Sequence, residues 1–314
     1  MLGDRAARTP VALVGCGRWG AKVLRDLRAL ECSVWVVARS RASHERAIDG
    51  GAEGVVERVR DLPEVAGVVI CTPVSTHFDV VREVADERPV PIFVEKPLSA
   101  ETDHADQLAG GLGSRLFVMD KWRYHPAVRE LARIARTEEL GPVHGLHCRR
   151  VTRGHRYDDV DTVIVHAPHD LCIALEILGE LPPAVHATAE RVGGRRVGLL
   201  ATLGGPPWVT LEVSCVAPAH RRELRLTCRD GVAYLDGGWS EEVQILRSLD
   251  GDPEPEVRPT PGELPLVAEL RAFVEHLRGG PPPRSSARDG ALIVRRLAEL
   301  GALADGAAEA PHAA

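Results

Sequence analysis

Short apolar runs alternate with helix-spaced apolar positions through the first 120 residues. Residues 11–14, 32–37, 55–59, 65–71, 91–94 and 116–119 read as strands. Near-continuous hydrophobic runs of this length fit parallel strands covered on both faces. Val23, Leu24 and Leu27, and later Val80, Val81 and Val84, recur at helical spacing between them. Ser75 and Thr76 are each placed to cap the second of these helices. Residues 100–114 predict a further helix and turn. Beyond Lys121-Trp122-Arg123-Tyr124-His125-Pro126 a helix over 128–134 precedes a change of texture. Strand-like stretches then dominate, at 143–151, 184–189, 197–203, 208–216, 222–228, 232–235 and 243–247. Turns such as Arg229-Asp230-Gly231 and Asp250-Gly251 suggest antiparallel pairing in one large open sheet. An apolar helix stopped by Gly179 interrupts them, with Pro168 assigned to its first turn and His169 and Asp170 near its start. Residues 253–261 read as a loop, and 264–277 and 287–300 as amphipathic helices. The predicted class is α/β. A doubly wound unit spans residues 1–120, a second α/β unit with a large, mainly antiparallel sheet spans 121–303, and 304–314 form a frayed tail.

The first strand runs into Gly15-Cys16-Gly17-Arg18-Trp19-Gly20 and then a helix. Strand, Gly-x-Gly-x-x-Gly and helix form the dinucleotide-binding fingerprint: one glycine for the turn, one for approach to a pyrophosphate, one for helix–strand packing. The helix N-terminus supplies N–H groups and a positive dipole end for the phosphates. After the second strand an NAD site usually carries Asp or Glu, whereas this chain reads Ala38-Arg39-Ser40-Arg41. Arg39 and Ser40 suit a 2′-phosphate, so NADP is favoured over NAD; a solvated basic turn is the plainer alternative.

In a doubly wound sheet ligands lie beyond the carboxyl ends of the strands. Thr72, Pro73 and His77 follow one such strand, and Glu95, Lys96 and Pro97 another. His77 also fits an ordinary helix-face histidine, and Glu95-Lys96 a surface pair. A charged pair straight after a buried strand is costly without a purpose, and Pro97 restricts Lys96 to extended backbone.

With 314 residues, 44% apolar and 27% charged, the chain suits two globular domains. A net charge of −6 with mixed signs argues against nucleic acid or anionic membrane as the main partner. No apolar run reaches spanning length, and residues 1–10 lack an export-type apolar core. Seven scattered cysteines without a Cys-x-x-Cys pair fit a reduced, cytoplasmic protein with no structural zinc. His166-x-x-His169 and His144-x-x-His147 are too sparse to read as metal sites.

Taken together, Gly15–Gly20 with its Trp, Cys71-Thr72-Pro73…His77, Val94-Glu95-Lys96-Pro97, and Pro168-His169-Asp170-Leu171 running into Leu178-Gly179 resemble the glucose–fructose oxidoreductase/inositol dehydrogenase/rhizopine catabolism (Gfo/Idh/MocA) family. The Tyr124-His125-Pro126-Ala127-Val128 segment also resembles the start of that family's second domain. The resemblance implies a Rossmann domain, then an α/β domain whose sheet often serves as an oligomer interface, here a homodimer or homotetramer. It implies hydride transfer between a nicotinamide and a carbinol or keto carbon of a sugar-like substrate, with a nucleotide sugar in a biosynthetic pathway preferred. Lys96 matches the family lysine that holds the reacting oxygen, and His169 the histidine commonly assigned as acid/base. Arg18, Trp19 and the loops at Thr72 and Glu95 fall on the cofactor side. Arg123, Tyr124 and His166 fall with Lys96 and His169 on the substrate side. Many relatives carry an Asp four residues before this His, where Val165 stands here, and Asp161 and His166 do not occupy the matching place. That departure leaves open a different substrate contact, a changed proton relay or a redox-silent nucleotide-binding regulator; reduction of an imine or non-sugar carbonyl in secondary metabolism is the alternative reaction.

Overall fold

The structure is a computed structural model, and it describes residues 8–154, 160–238, 240–248 and 254–309. The predicted Asp250-Gly251 turn and residues 310–314 of the predicted tail lie outside them.

The chain divides into two compact units. One comprises Met1–Lys121 and Leu264–Ala291, the other Trp122–Glu263 and Leu292–Ala314. The sequence reading placed 264–291 with the second unit; in the structure this segment returns to the first.

In the first unit β1 (Thr9–Val14), β2 (Cys32–Val37), β3 (Gly54–Val56), β4 (Gly67–Ile70), β5 (Ile92–Glu95) and β6 (Leu116–Met119) form a parallel sheet in the order β3-β2-β1-β4-β5-β6. The order reverses at β1, with β2 on one side and β4 on the other, which puts the ligand edge at the carboxyl ends of β1, β4 and β5. Helices α1 (Arg18–Ala29), α2 (Arg41–Asp49), α3 (His77–Glu87) and α4 (Thr102–Leu112) make the crossovers. The central strands bury nearly every side chain, as the unbroken apolar runs require. The returning helix α7 (Pro265–Leu277) packs Leu270, Phe273 and Val274 into the core that holds Val11, Leu13 and Phe93. The Phe93 and Phe273 rings stack with centroids 4.9 Å apart.

Thr76 is the N-cap of α3, but its hydroxyl donates to the Pro73 carbonyl at 2.7 Å and caps no helix N–H. The predicted side-chain cap, from Ser75 or Thr76, is therefore corrected to a turn that closes on itself.

The second unit contains α5 (Pro126–Arg136), β7 (Val143–Arg153), α6 (Thr162–Leu178), β8 (Ala184–Val192), β9 (Arg195–Leu203), β10 (Trp208–Ser214), β11 (Val216–Cys228), β12 (Gly231–Asp236), β13 (Glu242–Leu246) and β14 (Glu256–Pro259). The sheet order is β14-β13-β12-β11-β7-β10-β9-β8, antiparallel except where β7 meets β10. Leu146 and Cys148 of β7 alternate toward a core shared with α5 and α6. His147 and Arg149 point the other way, where His147 pairs with Thr210 (2.8 Å) and Arg149 with Glu212 (2.9 Å).

Three sequence expectations change here. Pro168 is the seventh residue of α6, well inside the helix rather than in its first turn. An interior proline costs about 3 kcal/mol. The same helix buries Val163, Val165, Ala167, Leu171, Ile173 and Ile177, each larger side chain worth about 1.5–3 kcal/mol, so packing outweighs the break. Residues 256–259 form an edge strand where a loop was expected. Polar β14 gives no apolar alternation; Arg258 fixes it by bonding Glu130 at 2.7 Å and Glu139 at 2.8 Å. Finally α8 (Ala287–Glu309) stays helical through 304–309, where fraying was expected.

Candidate functional site

The glycine turn after β1 has the shape that a pyrophosphate requires. Gly15 sits at φ +90°, a conformation costly for any side chain, and a Cβ there would also meet the Cys71 carbonyl oxygen at 2.9 Å. A Cβ on Gly20 would fall 2.2 Å from the Gly15 carbonyl oxygen, so only glycine lets α1 start this close to the turn. A Cβ on Gly17 would meet nothing within 4 Å. Gly17 is the N-cap of α1, with no side-chain cap and no acidic residue in the first turn. Open space, uncapped N–H groups and the positive end of a helix together fit a dinucleotide phosphate. Arg18 opens α1 and is exposed.

Two residues that sequence reading passed over steady this turn. The Cys16 amide donates to Ser43 Oγ at 3.0 Å, and Arg46 Nε donates to the Cys16 carbonyl at 2.9 Å. Both partners sit on α2, which Ser40 caps by accepting from the Ser43 amide at 3.2 Å. Ser40 therefore has a structural task at the β2 end. Arg39 reaches Glu83 on α3, with both ends of its contact exposed (2.7 Å).

The loops after β4 and β5 are fastened by His77. Its fully buried ring places Nδ1 at 2.8 Å from the Pro97 carbonyl and Nε2 at 3.0 Å from the Thr72 carbonyl. Expected as a cofactor contact, His77 instead ties together the two loops on which Thr72, Pro73, Lys96 and Pro97 lie. Thr72 Oγ1 is buried without a hydrogen-bond partner, and Pro73 is exposed. The Lys96–Pro97 peptide is cis.

Glu95 closes β5. Its Oε1 accepts from the Trp19 indole N–H and its Oε2 from the Lys96 amide at 3.1 Å. Lys121, just beyond β6, lies with Nζ 4.6 Å from the Trp19 ring centroid, a cation–π contact. Burial pushes the Glu95 carboxyl above its usual range, against the pull of Lys96 and Lys121. Trp19 is thus gripped from both sides at the mouth of the glycine turn. Lys121 went unassigned in the sequence, although it follows a buried strand just as Lys96 does, and that placement was the available signal.

In the second unit His169 lies midway along α6, its ring edge toward Trp122 with centroids 6.5 Å apart. The next residue, Asp170, takes both prongs of Arg150 at 2.8 and 3.0 Å, with side chains only 1% and 4% exposed. Arg150 also lies over the Trp122 ring at 4.8 Å, and Trp122 stacks on His125, whose imidazole burial lowers to a pKa of about 4. Arg123, expected to touch substrate, pairs instead with Glu176 at 2.9 Å, both largely buried. Tyr124 and His166 are half-buried. Val165 is packed in the core, and Asp161 at the N-cap of α6 is held by Arg196 at 2.9 Å. The described residues contain no cluster of three or more His, Cys, Asp or Glu able to hold a metal.

Residues 9–118 match the model of an oxidoreductase family described as having an NAD-binding Rossmann fold. Over 182 residues the chain is 31% identical to UDP-N-acetylglucosamine 3-dehydrogenase of Acidithiobacillus ferrooxidans, covering 56% of each chain. It is 26% identical over 197 residues to inositol 2-dehydrogenase 2 of Saccharopolyspora erythraea, covering 58% of each. In sequence, the chain thus spans a little over half the length of these curated relatives. The solved structure of the Acidithiobacillus ferrooxidans enzyme superposes with a TM-score of 0.81 at 23% identity, covering 96% of this chain and 99% of that one. A levoglucosan dehydrogenase in complex with NADH and levoglucosan superposes at 0.85 with 15% identity, covering 96% and 98%. At these identities the superpositions establish the shared fold. No helix among the described residues is long and apolar enough to cross a membrane.

Proposed function

We propose that the chain is a member of the Gfo/Idh/MocA oxidoreductase family and an NAD(P)-dependent dehydrogenase acting on a hydroxyl or keto carbon of a sugar-like substrate, a nucleotide sugar foremost. One observation carries the reading: the glycine turn opens at Gly17 onto an uncapped helix end, and Lys96 follows a strand at the same sheet edge. When bound, the nicotinamide accepts or supplies the hydride. Gly15, Gly17, Gly20, Arg18 and the first turn of α1 hold the phosphates. Trp19, with Thr72, Pro73, Glu95 and Pro97, shapes the nicotinamide side.

Lys96 holds the substrate oxygen and stabilises the negative charge that develops there. Hydride leaves a carbinol carbon only as the hydroxyl proton is taken up, and the reverse reaction needs that proton returned. Lys96 shares this proton, and His169, in the second unit, is the acid/base that the motif supplies; histidine titrates near working pH. His169→Asn is expected to lower kcat about 10²-fold or more, with cofactor affinity unchanged in a titration. A variant that turns over at the native rate would remove His169 from the mechanism.

NADP is the favoured cofactor. The Arg39–Glu83 pair is exposed, so it is worth at most about 1 kcal/mol. A charge-assisted bond to a 2′-phosphate is worth about 1.5–3 kcal/mol, enough to draw Arg39 away from Glu83. Arg39→Ala should weaken NADPH binding roughly 10- to 100-fold and leave NADH unaffected, whereas Glu83→Gln should tighten NADPH alone. Equal effects on both cofactors, measured by calorimetric titration, would return the preference to NAD. The enzyme works in the cytoplasm, where seven free cysteines stay reduced, as a homodimer or homotetramer through the second-unit sheet, on which Val185 and Leu200 are exposed.

Reduced-nicotinamide absorbance, followed with each cofactor over nucleotide sugars, free sugars and cyclitols, tests the assignment. Cofactor binding without turnover across that panel would favour the redox-silent reading, whose one support is the buried Val165 in place of a carboxylate.

A further inference from the structure

The ligand edge of the first unit buries carboxyl groups that the proposed chemistry does not use. Glu269, on the returning helix α7, is 1% exposed, and its Oε2 has no hydrogen-bond partner. Its titratable surroundings are Glu95 at the end of β5, Asp120 and Lys121 beyond β6, and Cys71 beyond β4. An ionised carboxylate in such a place costs several kcal/mol, and the group takes up a proton instead. Glu95 stands differently. It accepts from the Trp19 indole and from the Lys96 amide, and Lys96 and Lys121 both bring positive charge. Neighbouring buried carboxyl groups do not both ionise, and the one with donors keeps the charge. Burial displaces the Glu269 carboxyl well above its usual range, with Glu95 and Asp120 pushing it the same way.

We propose that Glu269 is a positioning residue held as the neutral acid, so that it adds no carboxylate charge to the one that Glu95 presents to Trp19 and Lys96. Ionised, Glu269 would add a further negative charge to this patch and raise the proton affinity of the nearby ammonium groups. Neutral, it adds no further counter-charge beside Lys96 to that of Glu95. The consequence for Lys96 rests on the function proposed above; the protonation state of Glu269 does not.

Glu269→Gln, nearly isosteric and always neutral, is the test. The infrared difference spectrum, wild type minus variant at neutral pH, should show a protonated-carboxyl C=O band that moves in heavy water. Symmetric and antisymmetric carboxylate bands in its place would overturn the proposal. Thermal unfolding gives a second reading. An unfolded glutamate ionises near about 4.3, whereas the folded one stays neutral. The native state therefore binds more protons than the unfolded state above that pH, and its stability falls as pH rises. Glu269→Gln lacks this penalty, so its midpoint relative to wild type should climb from about pH 5 to about pH 8. A difference that stays flat or declines would overturn the proposal. In turnover, Glu269→Gln should keep the wild-type pH profile and Glu95→Gln should shift it; equal shifts would show charge on Glu269. If the Lys96 assignment fails, turnover loses meaning, yet the infrared and thermal measurements still decide the state of Glu269. Glu269→Met replaces Gln in both if that variant does not accumulate.

Discussion

Lys96→Ala is expected to lower kcat by about 10²- to 10⁴-fold while leaving NADPH affinity within a few-fold of the native value. The phosphate-binding parts of the glycine turn do not depend on the Lys96 side chain. Gly15 and Gly20 are fixed by contacts with Cys71 and with each other, and Ser43 and Arg46 hold the turn from α2. What the truncation removes is the ammonium, and with it both the stabilisation of charge on the reacting oxygen and the route for its proton. Lys96→Arg separates the two. A guanidinium keeps the charge but does not give up its proton at any working pH, so this variant should recover only part of the loss. Steady-state rates and a calorimetric cofactor titration on the same preparations decide the matter. Lys96→Ala turning over within tenfold of wild type would move the chemistry elsewhere.

Arg150→Met should cost about 3–5 kcal/mol of stability, the largest loss expected from a single side chain here. The pair with Asp170 is almost wholly buried and two-pronged, so removing the guanidinium leaves a carboxylate in the core with only the nearby charge of Arg222 against its desolvation. In that variant the folded Asp170 binds its proton more readily than the unfolded one. The penalty is then full above the folded value and fades as pH falls toward the unfolded value near about 3.9. Replacing both partners, as Arg150→Met with Asp170→Leu, should recover much of the loss, since well-packed apolar pairs often equal buried ion pairs. Denaturant unfolding at several pH values measures all three. A loss below about 1 kcal/mol for Arg150→Met would mean that Asp170 finds another partner. Because Asp170 follows His169 directly, the same change should loosen the turn of α6 that presents the histidine.

The first unit was legible because its physics is local. Parallel strands buried on both faces leave unbroken apolar runs, and β2 and β6 fall where those runs lie. The glycine turn was equally plain, since its demands fall on three residues within six. The features that escaped depend on contacts remote in sequence. Arg150 and Asp170 meet across twenty residues with no shared pattern, and Glu269 reads as one more polar position on an amphipathic helix. Pro168 misled because its cost is local, while the burial that offsets it comes from the whole of α6. Strand β14 is polar and held by arginine–glutamate pairing, which leaves no hydrophobic period to find. His77 showed the reverse error: a residue in a suggestive place turned out to bind two backbone carbonyls.

The return of Leu264–Ala291 to the first unit bears on how this protein is made. Residues up to Lys121 leave the ribosome with one face of their sheet lacking Leu270, Phe273 and Val274, the side chains that cover Phe93 and its neighbours. At about 5–20 residues per second, roughly 10–30 s of synthesis separate the last strand of that sheet from its covering helix. Through that interval the nascent chain carries an open apolar surface, while Trp122–Glu263 of the second unit is translated in between. Chaperone occupancy on ribosome-bound chains should therefore persist from the completion of β6 until α7 emerges, and a gene cut after codon 121 should yield an insoluble product rather than a free nucleotide-binding domain.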